Sequence, residues 1–265
     1  MTGYDPAFLG HPVPLPVVAV GVQVVELPST HFTVVLRPDR RLAAATAVNV
    51  DGSALRDLDR DEEVWLPDPR VPTSAQTDDA LYARNDLDRG HLVRRRDPVW
   101  GSPAEAARAN SETFLFPNCA PQAAQFNQGK ELWLGLEDYL LEVAAASGRR
   151  LSVFTGPVLA EADPVYRDVA LPLRFWKVAA WDHGGTLAAT AYLLDQAELV
   201  QAVVQRAARD LLGAFRTCQV PVTEVEGATG LSFGPLAGAD RLPVRRELRS
   251  FDDMSLLPAN GAAGA

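Results

Sequence analysis

The chain has 265 residues, 47% of them hydrophobic and 22% charged, with a formal net charge of −9. It is long enough to bury a full core, and no apolar run approaches the roughly 20 residues that span a bilayer, so no transmembrane helix and no membrane partner are expected. The acidic balance argues against a protein that coats nucleic acid through bulk charge, although local charge decides how an enzyme grips a few phosphates.

The N-terminal stretch MTGYDPAFLG lacks the positive charge that opens a secretory signal, and no apolar segment of signal type follows. As written, the chain is expected in the cytoplasm, with export by a signal-independent route as the alternative. Residues 1–16 are proline-rich and read as an extended arm. Val17–Val25 and His31–Leu36 read as β-strands from their β-branched content, and Leu42–Val50 as a third that ends at the turn Asp51-Gly52. His31 is expected at the surface at a strand end, as is His11 on the arm. Residues 53–77 turn charged and proline-bearing. Arg60 or Arg70 could reach a substrate phosphate from there, against a default of solvated surface, and Trp65 reads as a packing anchor.

Asp88–Val93 reads as a short strand. Ser102-Pro103-Ala104-Glu105 has capping-box form and opens a helix through Arg108. Thr113–Phe116 reads as a strand, Asn118–Asn127 as a polar loop, and Gln128–Ala146 as an amphipathic helix stopped at Gly148. Strands follow at Leu151–Thr155, Arg174–Trp181 and Thr186–Leu194, with His183 in a turn facing solvent. Asp195 can cap a helix running to about Leu212, and Phe215–Val220 reads as a further strand. Thr223–Glu226 resembles a second capping box, with Thr229-Gly230 as the stop. Residues 17–254 are expected to form a single domain and 255–265 a disordered tail. The two cysteines, Cys119 and Cys218, are read as free buried thiols, with one bridge between them as the alternative.

The residues between Arg84 and Leu141 carry the chemistry. Asp88-Arg89-Gly90-His91 stands beside Arg94, Arg95 and Arg96, and is followed by Asn118, Asn127 and a helix holding Glu137. A histidine can serve as the base, arginines can neutralise phosphate, and amide and carboxylate oxygens suit Mg²⁺ better than zinc. That is a set of parts for metal-assisted attack on a phosphodiester. Each residue alone has a plainer reading: a core histidine, turn asparagines, a solvated arginine face, and a cysteine, Cys119, that merely packs.

Taken together, the Asp88–His91 motif, Asn118-Cys119-Ala120-Pro121-Gln122, Phe126-Asn127-Gln128-Gly129 and Trp133-Leu134-Gly135-Leu136-Glu137 resemble the DNA/RNA non-specific endonucleases. The match continues, in the family's order, through Thr155–Val158, Phe175-Trp176-Lys177 and Glu224–Leu231, covering roughly residues 30 to 235. The resemblance implies an α+β chain of the ββα-metal nuclease fold, a central antiparallel sheet flanked by helices. It implies an endonuclease that hydrolyses phosphodiester bonds of DNA and RNA with Mg²⁺, Mn²⁺ being a substitute. His91 would be the general base, Asn127 the protein's direct ligand to the metal, and Glu137 would hold the waters around it. Arg89 would face the scissile phosphate, Asn118 would orient the loop and the histidine, and Asp88 would help place the metal's waters. Arg94 and Arg95 are assigned to substrate binding. An inhibitor protein and a homodimer are the implied protein partners.

The chain departs from the family at two places. The family often has proline three residues after the histidine, where this chain has Arg94. Its asparagine-to-glutamate interval is also usually about two residues shorter than Asn127 to Glu137. Inside one continuous helix two extra residues would rotate Glu137 by about 200°. Glu131 would then be a rival carboxylate; if the pair sits in a loop before the helix, Glu137 keeps its place. Two other readings stand beside the nuclease: a non-catalytic descendant that binds nucleic acid or protein, and a phosphodiesterase of narrower substrate range.

Overall fold

The computed structural model describes residues 3–58, 64–130, 133–205, 217–242 and 246–248. Arg60, Glu131, the expected helical stretch beyond Gln205, the start of the strand at Phe215 and the tail 255–265 lie outside the described residues.

The chain opens into a meander of β1 (Val25–Ser29), β2 (Phe32–Arg37) and β3 (Leu42–Asp51). The short helix α1 (Asp79–Tyr82), capped by the Asp78 side chain, leads to β4 (Leu87–His91) and α2 (Pro103–Glu112). Next come β5 (Cys119–Ala123), α3 (Ala124–Gln128) and α4 (Trp133–Ser147). The second half runs β6 (Arg150–Val158), a small hairpin of β7 (Val165–Tyr166) and β8 (Val169–Ala170), then β9 (Arg174–Asp182), β10 (Leu187–Asp195) and α5 (Ala197–Gln205). It closes with β11 (Thr217–Val220), α6 (Val222–Thr229), α7 (Pro235–Gly238) and β12 (Arg246–Leu248).

Among the described residues eight strands form one antiparallel sheet in the order β1-β2-β3-β6-β9-β10-β11-β12, while β4 and β5 pair with each other in a separate ladder. Both faces of the sheet are covered, which is why its inner strands read as nearly continuous apolar runs. Alternation along β9 shows the division. Phe175, Ala179 and Trp181 join the core shared with β4, β5, α3 and α4, whereas Trp176, Val178 and Ala180 join a second core under α6, α7 and the N-terminal residues Tyr4, Leu9 and Val13.

Several local expectations are corrected. Val17–Val25 is not one strand: before its last residue, Val25, where β1 begins, only Val17 bridges, to Ser232, and the segment turns at Gly21 (φ +89°). β-branched composition favours a strand only where a neighbour offers backbone partners. Thr113–Phe116 is no strand either, because α2 runs on to Glu112 and Phe116–Asn118 closes a 3-10 turn containing Pro117. The expected loop Asn118–Asn127 is instead β5 and α3, and the long helix is broken before Trp133. The second capping box is absent. Pro221 precedes α6, and the Val222 N–H donates to Asp240 Oδ2 at 2.6 Å, a partner brought by tertiary packing. His31 is buried rather than exposed, at φ +67°, stacked on Trp100 with ring centres 3.5 Å apart and 2.8 Å from the Pro98 carbonyl. His11 is half-buried and meets Asp182 at 2.7 Å.

Candidate active site

The β4–β5 pair presents the Asp88–His91 motif, with Asp88 opposite Gln122, Gly90 opposite Ala120 and His91 opposite Cys119. Gly90 is a close approach: a Cβ there would stand 2.1 Å from Gln122 Oε1, because the glutamine side chain lies across it. At the end of β4 the His91 ring packs against Trp65 at 4.6 Å and edge-on to Phe114 at 4.8 Å. Trp65 is held there by its neighbour. The Leu66 N–H donates to Phe114 O at 2.9 Å, and the Phe116 N–H donates back to Leu66 O at 3.0 Å. Trp65 is the packing anchor expected from the sequence, and the structure adds what it anchors, the His91 ring.

Asn118 fixes the chain beyond the histidine. Its amide donates to Val93 O and Thr113 O, and its Oδ1 accepts the Val93 N–H, all at 2.9 Å. It is buried, and its backbone carbonyl also accepts the Leu92 N–H. Every polar atom of the side chain is thus spent on positioning.

Asp88 gathers the other half of the site. Asn127 Nδ2 and Gln128 Nε2, from α3, donate to its Oδ2 at 2.9 and 2.8 Å. Since a carboxylate accepts hydrogen bonds, both amides must turn their nitrogens to it, and the Asn127 oxygen faces elsewhere. The helix α3 packs on β4, β5 and α4. Phe126, Trp133 and Phe175 form an aromatic triad 5.6–5.9 Å apart that joins α3, α4 and β9.

Asn127 and Glu137 lie on different helices, with α3 ending at Gln128 and Gly129 in extended conformation. The longer interval between them therefore does not act as a rotation within one helix. Glu137 is buried on α4, its oxygens 3.7 Å from Arg94 Nε and 3.7 Å from Lys177 Nζ. Burial raises its carboxyl to about 7, against the opposing pull of Lys177 and Arg94.

The arginines divide. Arg89 bonds Asp79 and sits 5.0 Å over the Tyr82 ring, with its side chain 31% exposed. Arg94, expected at the substrate, is instead turned inward, 12% exposed, onto Glu137 and Asp138. Arg95 spans to Leu58 O and Asn110 Oδ1 at 3.3 and 3.2 Å, a brace between segments. Arg96 is exposed, 3.5 Å from Asp57. Cys119 is buried and its thiol is pushed up to about 12 by burial, so it is a packing residue; neither cysteine forms a disulfide.

A large antiparallel sheet with a detached strand pair and a following short helix, carrying histidine and asparagine together, is the ββα-metal nuclease fold. The solved structure of EndoG in complex with EndoGI matches with a TM-score of 0.61 at 19% identity, covering 78% of this chain and 84% of that one. The sequence model for DNA/RNA non-specific endonucleases matches residues 15–239, and the chain belongs to that family. Nuclease C1 of Cunninghamella echinulata is 28% identical over 209 residues, 73% of this chain and 76% of that protein. The uncharacterized protein y4fB of Sinorhizobium fredii is 38% identical over 257 residues, and the chain spans 38% of its length. Among the described residues no helix is long and apolar enough to cross a membrane.

Proposed function

We propose that the chain is a Mg²⁺-dependent endonuclease that hydrolyses phosphodiester bonds in DNA and RNA with little regard to base sequence. The observation that carries this reading is the pairing of Asp88 with the amide nitrogen of Asn127. It commits the amide nitrogen and so directs the neutral hard oxygen away from that carboxylate, on the helix packed against the strand that ends in His91. The donor chemistry fits Mg²⁺, which keeps most of its water and takes few protein ligands. Among the described residues no group of three or more histidine, cysteine, aspartate or glutamate side chains could hold a metal ion. Asn127 would hold it, with Asp88 orienting the amide and Glu137 contacting the surrounding waters; Mn²⁺ is the expected substitute. When bound, the cation polarises the phosphodiester and neutralises charge developing on it.

The chain's own residues do the rest. His91, fixed between Trp65 and Phe114, accepts the proton of the attacking water. Asn118 keeps that histidine in place by anchoring Val93. Arg89, a forked cation on a partly exposed surface, exchanges Asp79 for a phosphate oxygen and stabilises the charge that builds there. Contacts of this kind position the backbone without reading bases, hence the breadth of substrate. The proposal includes an inhibitor protein as partner, since an unselective nuclease endangers the genome of a cell that retains it.

Cleavage of supercoiled plasmid and single-stranded RNA by wild type and His91→Ala, with Mg²⁺ or EDTA at low ionic strength, tests the reading. Both substrates should be degraded, and EDTA or the substitution should abolish it. A wild type that cuts neither substrate in Mg²⁺ or Mn²⁺ refutes it, and a gel shift then asks whether binding alone remains.

A further inference from the structure

The chain has two lysines, and one of them, Lys177, is only 1% exposed. Burying an ammonium group costs several kcal/mol unless strong partners surround it. β9 places Lys177 on the face toward α4, where Nζ donates to Thr155 Oγ1 at 2.9 Å and lies 4.7 Å from the Trp133 ring centre. Its third neighbour is Glu137 Oε1 at 3.7 Å. From the other side Arg94 Nε reaches Glu137 Oε2 at 3.7 Å, while its far nitrogen is tied to Asp138. Asp97, also buried, completes the cluster, and burial raises its carboxyl too. A cavity of about 10 Å³ runs between Asp97, Glu137 and Lys177, about the smallest space that one water can occupy.

Neither 3.7 Å contact is a hydrogen bond. Glu137 Oε1 is buried with no hydrogen-bond partner in the protein, so the carboxylate is held by charge from two sides while the acceptor capacity of this oxygen is unspent. That is an unusual arrangement for a group whose only task is structural, because a purely structural ion pair gains most from direct, saturated hydrogen bonds.

We propose that Lys177 and Arg94 are positioning residues, a two-cation clamp that fixes the Glu137 carboxylate between β9 and the segment leaving His91 and leaves its oxygens for the waters of the bound cation. The clamp rests on the nuclease reading above. It gives Arg94 a job other than phosphate binding. It also ties α4 to the histidine strand, since Arg94 stands three residues after His91. The charged groups facing Glu137 are Lys177 from β9, Arg94 and Asp97 from the segment after β4, and Asp138 from its own helix.

The test uses Mn²⁺ binding followed by electron paramagnetic resonance on the full chain without nucleic acid, alongside steady-state cleavage. Arg94→Met and Lys177→Met should each weaken Mn²⁺ binding by about tenfold, as loss of an outer partner of a metal site typically does. Each should lower kcat with little change in KM, and move the acid limb of kcat to higher pH, because each cation draws the Glu137 carboxyl down. Arg94→Lys should restore part of the loss. In a Glu137→Gln background the same substitutions should change Mn²⁺ affinity by less than about twofold, since partners acting through one group are not additive. The charge-matched double variant Glu137→Gln/Lys177→Met serves if Lys177→Met alone does not fold.

An Arg94→Met protein with intact Mn²⁺ affinity and kcat, a raised KM and a salt slope reduced by about one would make Arg94 a phosphate contact and overturn the clamp. So would full additivity in the Glu137→Gln background, or a wild type that binds no Mn²⁺. Failure of the nuclease reading itself looks different: wild type binds Mn²⁺ with the predicted couplings but cuts no nucleic acid.

Discussion

Asn118→Ala should be among the most damaging single substitutions in the chain. It removes two donated hydrogen bonds, to Val93 O and Thr113 O, and one accepted from the Val93 N–H. Three backbone groups then lose their partners in a place where Asn118 itself is only 1% exposed. Each such group costs about 1–3 kcal/mol, so the sum is about 3–6 kcal/mol after some relaxation. Against a total stability of about 5–15 kcal/mol that is a large fraction. With a urea slope of about 3 kcal/mol/M the unfolding midpoint falls by about 1–2 M. Asn118→Asp should do no better, because it keeps the acceptor for Val93 but sets a carboxylate against two carbonyl oxygens. The assay is urea unfolding followed by tryptophan fluorescence, with kcat measured where both variants are still folded. Since Val93 lies two residues past His91, kcat should fall about tenfold or more, a part of the roughly 10²–10⁴-fold that a positioned general base contributes. A midpoint shift below roughly 0.3 M would mean that these bonds do not hold the loop.

Trp65→Ala should lower kcat several-fold with KM nearly constant, and Trp65→Phe should recover most of it, because the wall beside the imidazole is aromatic packing; steady-state kinetics on a fluorogenic oligonucleotide decides. Gly90→Ala should cost about 1–3 kcal/mol through overpacking, and Gln122→Ala in the same chain should relieve much of that cost by removing the atom at 2.1 Å. The raised Glu137 carboxyl is protonated in the folded chain and ionised in the unfolded one between its ordinary value of 4.5 and about 7. The folded state therefore binds more protons in that window, and this group's contribution to stability falls as pH rises through it. Urea midpoints of wild type should thus decline from pH 5 to pH 8 relative to Glu137→Gln; parallel curves would remove the buried acid from the account. Iodoacetamide should leave the folded protein unmodified and active, since both thiols are buried and that of Cys119 is held protonated; rapid inactivation with label on Cys119 would contradict this.

The sequence made the sheet legible because its strands are buried on both faces and read as apolar runs, as in β3, β6, β9 and β10. It also brought Asp88, His91, Asn118 and Asn127 into one argument by their order. Composition misled where tertiary partners decide. NCAPQAAQFN is polar and carries Pro121, yet it forms β5 and α3, because a pair of strands outside the main sheet tolerates a residue that lacks an N–H. VVAVGVQVV looks like a strand but finds almost no partner, and Val20 ends fully exposed. The burial of His31 depends on Trp100, 69 positions away, and the cluster at Glu137 joins positions 94, 97, 137 and 177. No local pattern encodes such meetings.

The break between α3 and α4 has a further consequence. A residue added inside a helix shifts the angular phase of everything after it, whereas a residue added at a joint between two helices lengthens only the path. Asn127 is anchored through Asp88 and its neighbour Phe126, and Glu137 through Lys177 and Arg94. Each therefore keeps its own attachment to the rest of the protein. The segment around Gly129 is therefore an expansion joint: residues added or removed there would leave each side chain on its own attachment.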